Sequence, residues 1–298
     1  MKVVFIVNPK SGTKDKNKIL ELIPTIFSGE EWDFKIQYTE RAGHAVELAK
    51  AAAENGADAA IAIGGDGTVN EVARGLIHTN TALGIIPCGS GNGLARHLGI
   101  SMKPSKAIDT IKKMNIKDCD YGLICGHPFF CTAGVGFDAE VSEQFAKDGK
   151  RGLLTYIKKT INISLKYSGM SCVIELENGK KLSNINAWLI TGANASQYGN
   201  NFFIAPKASV CDGYLDINIW TCFNKLRGLL IAPLLRTGYI ELFKNVKIMR
   251  ARKITIHRRS EGPIHWDGDP SNGPKDITME CVEKGIKMIV GTPAKNQL

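Results

Sequence analysis

The chain has 298 residues, 44% of them hydrophobic and 22% charged, which excludes a disordered, low-complexity or collagen-like protein and allows one large or two ordinary domains. Its net charge of +9 is unevenly spread: residues 1–120 carry 15 Lys and Arg against 14 Asp and Glu, and residues 121–298 carry 23 against 15. A basic second part beside a nearly neutral first part points to an anionic partner there (a membrane, nucleic acid or phosphate groups), unless the surplus lysines and arginines only solvate the surface.

From the N-terminus, strand-like and helix-like patterns alternate. Val3–Val7 is a short β-branched and aromatic run, as expected of a buried parallel strand, and it follows the first residues without a leader-like segment. Ile19–Phe27 has helical spacing that Pro24 should shorten or kink. Phe34–Thr39 reads as a strand, and Ala45, Leu48, Ala49 and Ala52 mark one face of a helix. Ala59–Ile63 is a third strand. Val69, Val72, Ala73, Leu76 and Ile77 then form a helical stripe, and Leu83–Ile86 is a fourth strand before another short helix. Such alternation predicts a doubly wound α/β domain over residues 1–118, with ligands at the carboxyl ends of its strands.

Beyond about residue 116 the rhythm changes. Ser171–Leu176, Ala187–Thr191, Tyr214–Trp220, Lys253–His257 and Ile277–Cys281 are short strand-like runs separated by Gly, Asn, Asp and Pro, and two helical stretches, Leu153–Tyr167 and Lys225–Phe243, interrupt them. A second, β-rich domain over 119–285 is expected. The eight cysteines lie mostly in apolar stretches. Cys119, Cys125 and Cys131 recur every six residues without a CxxC pair or neighbouring His, which favours core packing over disulfides or zinc. The longest apolar runs, such as Leu229–Leu235, are far below a spanning length, so a cytoplasmic, reduced protein is expected.

Three turns in the first domain carry the chemistry. Asn8-Pro9-Lys10-Ser11-Gly12 ends the first strand, Gly64-Gly65-Asp66-Gly67-Thr68 the third, and Cys88-Gly89-Ser90-Gly91-Asn92-Gly93 the fourth. Glycines let backbone N–H groups approach phosphate oxygens, and three such turns at strand ends say far more than one. There is no GxxxxGK[ST], no protein-kinase loop signature, and Asn70 stands where a dinucleotide fingerprint wants its third glycine. An Asp flanked by glycines suits the neighbourhood of a γ-phosphate, its Mg²⁺ or an attacking hydroxyl. No helix-turn-helix, zinc or aromatic-basic signature supports a nucleic-acid partner.

Gly64–Val72 resembles the signature of the diacylglycerol kinase catalytic domain, shared with sphingosine and ceramide kinases. Gly64–Thr68 alone would also fit NAD kinases and the related phosphofructokinases. The likeness extends to Asn8–Gly12, to Pro87–Asn92, to Ala205–Ala208 with Asp212–Asp216, and to Trp266–Asp269, which falls where the family has Asp-Gly-Glu. Five motifs in order span nearly the whole chain. The resemblance implies an ATP-dependent lipid kinase. Its first domain would be α/β, of the NAD-kinase and phosphofructokinase type, and its second a β sandwich, with Met288–Gly291 returning to the first domain as part of a stretch 286–298.

By matching positions, nucleotide would be held by Asn8, Pro9, Lys10, Ser11, Gly12, Thr39, Gly64, Gly65, Asp66, Gly67, Thr68, Asn70 and Ser90. Ser209, Asp212 and Tyr214 match a structural Mg²⁺ site of bacterial members, the first and last through their carbonyls, although Asp212-Gly213 is also a hairpin-turn pair. Asp269 takes the place of the family's Glu as base for the lipid hydroxyl, its carboxylate set back by about 1.5 Å, the length of a C–C bond, and Asp66 is the second candidate. Asp269-Pro270 is equally a turn pair. Arg74 and Arg96 are given no role.

Two amphipathic basic stretches could meet a peripheral anionic membrane: Leu153, Leu154, Tyr156, Ile157, Ile161 and Leu165 beside Lys158, Lys159 and Lys166, and Leu226, Leu229, Leu230, Leu234 and Leu235 beside Lys225, Arg227 and Arg236. Either could instead pack its apolar face on the β domain. A kinase of a soluble acceptor such as NAD, and a nucleotide-binding sensor without turnover, are the competing readings. The choice of lipid is not legible, and oligomeric state is open, a homodimer being among the states allowed.

Overall fold

The computed structural model describes residues 1–12, 16–148, 160, 162–164, 166–222 and 231–292. The chain forms two compact units: Met1–Tyr121 with Val210–Asp212 and the chain from Glu283 onward, and Gly122–Ser209 with Gly213–Val282.

The first unit is an open parallel sheet. In chain order it contains β1 (Lys2–Val7), α1 (Lys16–Ile26), β2 (Asp33–Tyr38), α2 (His44–Glu54), β3 (Ala59–Gly64), α3 (Asp66–Leu76), β4 (Ala82–Pro87), α4 (Gly93–His97) and α5 (Pro104–Lys112). The strands lie side by side as β2, β1, β3, β4, and the end of the chain's last strand, β15 (Asp276–Ile289), joins β4 in parallel at Met288 and Leu83. Every residue of β3 and β4 is buried, which is why both read as continuous apolar runs, whereas the edge strand β2 has no buried residue. Ile19 and Ile23 of α1, Phe27 just after it, and Ile108 and Ile111 of α5 close one core with Phe5, Ile61 and Ile86. Each such side chain contributes about 1.5–3 kcal/mol. Pro24 is accommodated inside the last turn of α1. Gly75 of α3 lets α2 approach, since a Cβ there would stand 2.7 Å from the Ala49 Cβ.

The order of these strands positions the site. After β1 the chain turns to one side to make β2, and it then crosses to β3 and β4 on the other. The loops leaving β1 and β3 therefore part at a topological switch point, where open α/β sheets bind ligands.

The second unit is antiparallel. It contains β6 (His127–Phe129), β7 (Thr132–Gly136), α6 (Phe137–Asp148), β8 (Met170–Leu176), β9 (Lys181–Ala193), β10 (Leu215–Thr221), α7 (Ile231–Thr237), a 3-10 turn (Ile240–Leu242), β11 (Val246–Ala251), β12 (Lys253–Arg258), β13 (Gly262–Trp266) and β14 (Asp269–Gly273). The strands run β14, β13, β7, β9, β8, β12, β15, and β10 pairs with both β9 and β11. Two strands, β5 (Ile116–Ile124) and β15, run from one unit into the other. The main core includes Phe129, Ile190, Ile217, Ile256, Ile264 and Met279. A second cluster gathers Phe137, Trp188 and Trp220, with Phe137 stacked 3.7 Å from Trp188.

Several elements differ from the sequence pattern. The helix expected over Lys225–Phe243 lies outside the described residues at 223–230, and its described part ends at Thr237. Gly238, at φ 76°, turns the backbone into the left-handed region and stops it. Most of the stretch Leu153–Tyr167, including Lys158 and Lys159, lies outside the described residues. Ile277–Cys281 and Met288 fall in one strand, β15. The strands β7, β13 and β14 are rich in Gly, Pro and Asn, and are strands because neighbouring strands pair with them. Among the described residues no helix is long and apolar enough to cross a membrane.

Candidate active site

In the first unit the three glycine turns lock into one another. Asn8 donates its Nδ2 hydrogen to Thr68 Oγ1 at 3.1 Å, and its backbone N–H to Ile63 O at 3.2 Å, joining the first turn to the second. Within the first turn Asn8 Oδ1 accepts from Lys10 N, and Ser11 bonds Asn8 O through both its N–H and its hydroxyl. Gly12, at φ 75°, lies so close to the third turn that a Cβ there would be 2.2 Å from Cys88 O. Gly65 faces Gly89: a Cβ on Gly89 would stand 2.9 Å from the Gly65 Cα. Only residues without side chains allow backbones this close.

Asp66 completes the lock. Its Oδ2 accepts the Asn92 N–H at 2.9 Å and its Oδ1 the Gly93 N–H at 2.8 Å, so the carboxylate of the second turn holds the start of α4 after the third. Asn92, at φ 51°, closes that third turn by bonding both N and O of Gly89. Thr68 and Asn70 are buried on α3, and Thr39 is buried where its N–H bonds Val7 O. Pro9, Lys10, Gly12, Gly67 and Ser90 are exposed. Of the sequence-predicted nucleotide residues, Asn8, Gly12, Gly65, Asp66 and Thr68 thus meet directly or through the third turn.

In the second unit Asp269 begins β14, opposite Trp266. The two residues between them, Asp267 (φ 48°) and Gly268 (φ 91°), both have positive φ, as a tight type I′ hairpin requires. Asp267 anchors this turn: its carboxylate accepts N–H bonds from Phe130 (2.8 Å), Cys131 (2.8 Å) and Thr132 (3.0 Å). At the open end of the hairpin Arg258 donates to the carbonyls of Gly262, Pro263, Gly273 and Pro274. Burial pulls its guanidinium below the ordinary arginine range. The Trp266 ring stacks on His127 at 4.2 Å. Asp269 itself is exposed on this braced hairpin.

Beneath the hairpin a polar group is buried. Asp138, in the first turn of α6, accepts from Thr191 Oγ1 at 2.5 Å and Tyr198 OH at 3.2 Å. His265 Nε2 stands 3.0 Å from the same oxygen, with no hydrogen bond between them. Burial, then the Asp138 and Glu140 carboxylates, push the Tyr167 hydroxyl above the usual phenol range.

In the segment with Ser209, Asp212 and Tyr214, Asp212 is assigned to the first unit and Ser209 and Tyr214 to the second. Ser209 is buried, Gly213 has φ 74°, and the guanidinium groups of Arg250 and Arg252 lie 4.8 and 5.0 Å from the centre of the Tyr214 ring. Cys211 stands 3.7 Å from Cys119, sulfur to sulfur. Among the described residues no cluster of three or more His, Cys, Asp or Glu could hold a metal. Asp212 with carbonyl oxygens and water would offer a cation an all-oxygen donor set, which suits Mg²⁺.

Sequence reasoning gave no role to Asn92, Asp267 or Arg258. Asn-Gly at 92–93 and Asp-Gly at 267–268 were readable as turns with positive φ, but their long-range backbone partners were not.

Residues 2–124 match the diacylglycerol kinase catalytic domain, and residues 131–290 match the YegS C-terminal NAD kinase beta sandwich-like domain. A "Diacylglycerol kinase" of Bacillus subtilis is 29% identical over 270 residues, covering 89% of this chain and 88% of that protein. A "Probable lipid kinase YegS-like" protein of Chromohalobacter salexigens is 31% identical over 243 residues, covering 79% and 77%. A crystal structure of a candidate diacylglycerol kinase from Bacillus anthracis superposes with a TM-score of 0.80 at 26% identity, over 97% of this chain and 95% of that one. The second unit is accordingly of the β-sandwich type, and the chain belongs to the diacylglycerol kinase family of lipid kinases, phosphotransferases with an alcohol group as acceptor, in the form that carries a YegS-type second domain.

Proposed function

We propose that the chain transfers the γ-phosphate of ATP to the hydroxyl of a lipid, of diacylglycerol or sphingoid type, presented at a membrane surface. The observation that carries this reading is the interlock of three glycine turns at the switch point of the first unit, tied by Asn8, Asp66 and Gly12. Turns fixed this way hold their N–H groups in place before a polyphosphate arrives, so little reorganisation is needed on binding. Asn8, Pro9, Lys10, Ser11, Gly12, Thr39, Gly64–Thr68, Asn70 and Ser90 would line the nucleotide.

Both oxygens of Asp66 are engaged by backbone N–H groups, which supports a positioning part for it. Asp269 is exposed on a hairpin braced at both ends, and it is the better candidate to take the proton of the acceptor hydroxyl, directly or through water. Asp212 and the carbonyls of Ser209 and Tyr214 would hold Mg²⁺. When bound, Mg²⁺ supplies charge neutralisation to the polyphosphate or order to this segment.

The test is a radiolabelled-ATP assay with Mg²⁺ on mixed vesicles, run as a lipid panel beside NAD. Label in an extractable lipid supports the reading and identifies the acceptor. Label only in NAD replaces it with a soluble-acceptor kinase. ATP binding without any transfer replaces it with a sensor.

A further inference from the structure

Among the described residues the two most exposed large hydrophobic side chains are close neighbours: Tyr239 is 62% and Leu242 75% exposed. They stand three positions apart, Tyr239 as the N-cap of the 3-10 turn after α7 and Leu242 as its last residue. Their exposure is built in rather than frayed. Ile240 and Phe243, the residues that follow each of them, are buried in the cluster with Trp188 and Trp220. The backbone is held by bonds from Tyr239 N to Leu234 O, Leu242 N to Tyr239 O and Val246 N to Phe243 O, at 2.8–3.0 Å. A scattered exposed leucine needs no explanation, but a rigid pair does.

The charge around the pair is one-sided. Arg236, Lys244 and Lys247 are exposed, and the one acid between them, Glu241, is paired with Lys207 at 2.8 Å. A second copy of the chain docking face to face would bring like charges together. An anionic bilayer meets both features at once, since tyrosine and leucine enter the interfacial layer while Lys and Arg meet headgroup phosphates.

We propose that the turn from Tyr239 to Leu242 is the tip by which this protein seats on an anionic membrane, with Tyr239 and Leu242 inserting and Arg236, Lys244 and Lys247 contacting phosphate. The assignment rests on the lipid-kinase reading for its purpose, though not for its observations.

The test is flotation of the full chain with phosphatidylcholine vesicles, with and without phosphatidylglycerol. Wild type should favour the anionic vesicles. The double variant Tyr239→Ser/Leu242→Ser should lose about tenfold or more in partitioning, from the apolar surface no longer buried. Lys244→Glu/Lys247→Glu should lose roughly fivefold or more per lysine on anionic vesicles only. Both variants should keep wild-type kcat on a short-chain diacylglycerol dispersed as monomers. Leu242→Trp offers a check without loss of apolar surface, since its emission should shift to the blue on anionic vesicles.

Wild-type partitioning of the double variants, or no shift for Leu242→Trp, overturns the proposal. So does a dimer that the serine variant splits while its vesicle binding stays unchanged, because a second copy is then the occupant. A wild type that binds vesicles through these residues but phosphorylates no lipid keeps this surface and overturns the kinase reading alone.

Discussion

The two regions that carry the candidate chemistry are built on opposite plans. In the first unit the turns after β1, β3 and β4 are packed backbone against backbone, and glycine identity is enforced by contacts that leave no room for a Cβ. In the second, the hairpin of β13 and β14 is clamped from outside, by Asp267 at its tip and Arg258 at its base, while Asp269 projects from it exposed. The first plan would make the structure of the turns inseparable from any binding they do. The second would let the Asp269 side chain vary while the fold stays put.

That contrast can be broken at specific residues. The largest effect is expected for Asp269→Ala: kcat should fall about 10²–10⁴-fold, the usual worth of a general base, with the thermal midpoint unchanged. A variant with full kcat would remove Asp269 from the chemistry, and Asp269→Glu should keep activity if the hairpin tolerates exchange as argued.

Gly12→Ala comes next, with the opposite signature. A Cβ at φ 75° and against Cys88 O should cost about 3 kcal/mol, combining a left-handed backbone for alanine with an overpacked contact. Urea denaturation reads the cost, and a loss under 0.5 kcal/mol, the range of surface substitutions, would mean that the turns are not locked.

Asp267→Ala leaves three N–H groups without their acceptor and should lower stability by about 2–3 kcal/mol. Its activity should fall less than that of Asp269→Ala, since the hairpin keeps its Arg258 clamp; equal losses would show that the two plans are not separable.

The smallest effect concerns reactivity. Burial pushes the Cys172 thiol up to about 11, so at pH 8 its thiolate fraction is on the order of 0.1% and alkylation should spare it. Sign matters here: labelling should rise as pH climbs toward that value, and fast labelling at pH 8 would mean that the second unit's core opens readily.

Much of the first unit was legible because a buried parallel sheet writes itself as continuous apolar runs, and Ala45, Ala49 and Ala52 mark a helix face plainly. The glycine turns were legible for the same local reason. What was hidden depended on distant partners. Nothing near Asp66 in sequence says that its carboxylate holds Asn92 and Gly93, 26 and 27 residues on. The strand Thr132–Gly136 reads as turn until β9 and β13 flank it. Gly238 could have ended the expected helix on paper, but the apolar residues after it continue the period.

The last strand carries one more consequence. Ile289 packs in the core of the first unit, and Met288 pairs with Leu83 on β4, some two hundred residues earlier. During synthesis the parallel sheet of the first unit therefore waits for the end of β15 to leave the ribosome, and the whole β-rich unit is translated in between. A nascent chain stalled before Glu283 would expose the β4 edge and the apolar place of Ile289. Over that interval the order of translation, more than local structure, decides what is exposed, and a chaperone that shields β4 would cover it.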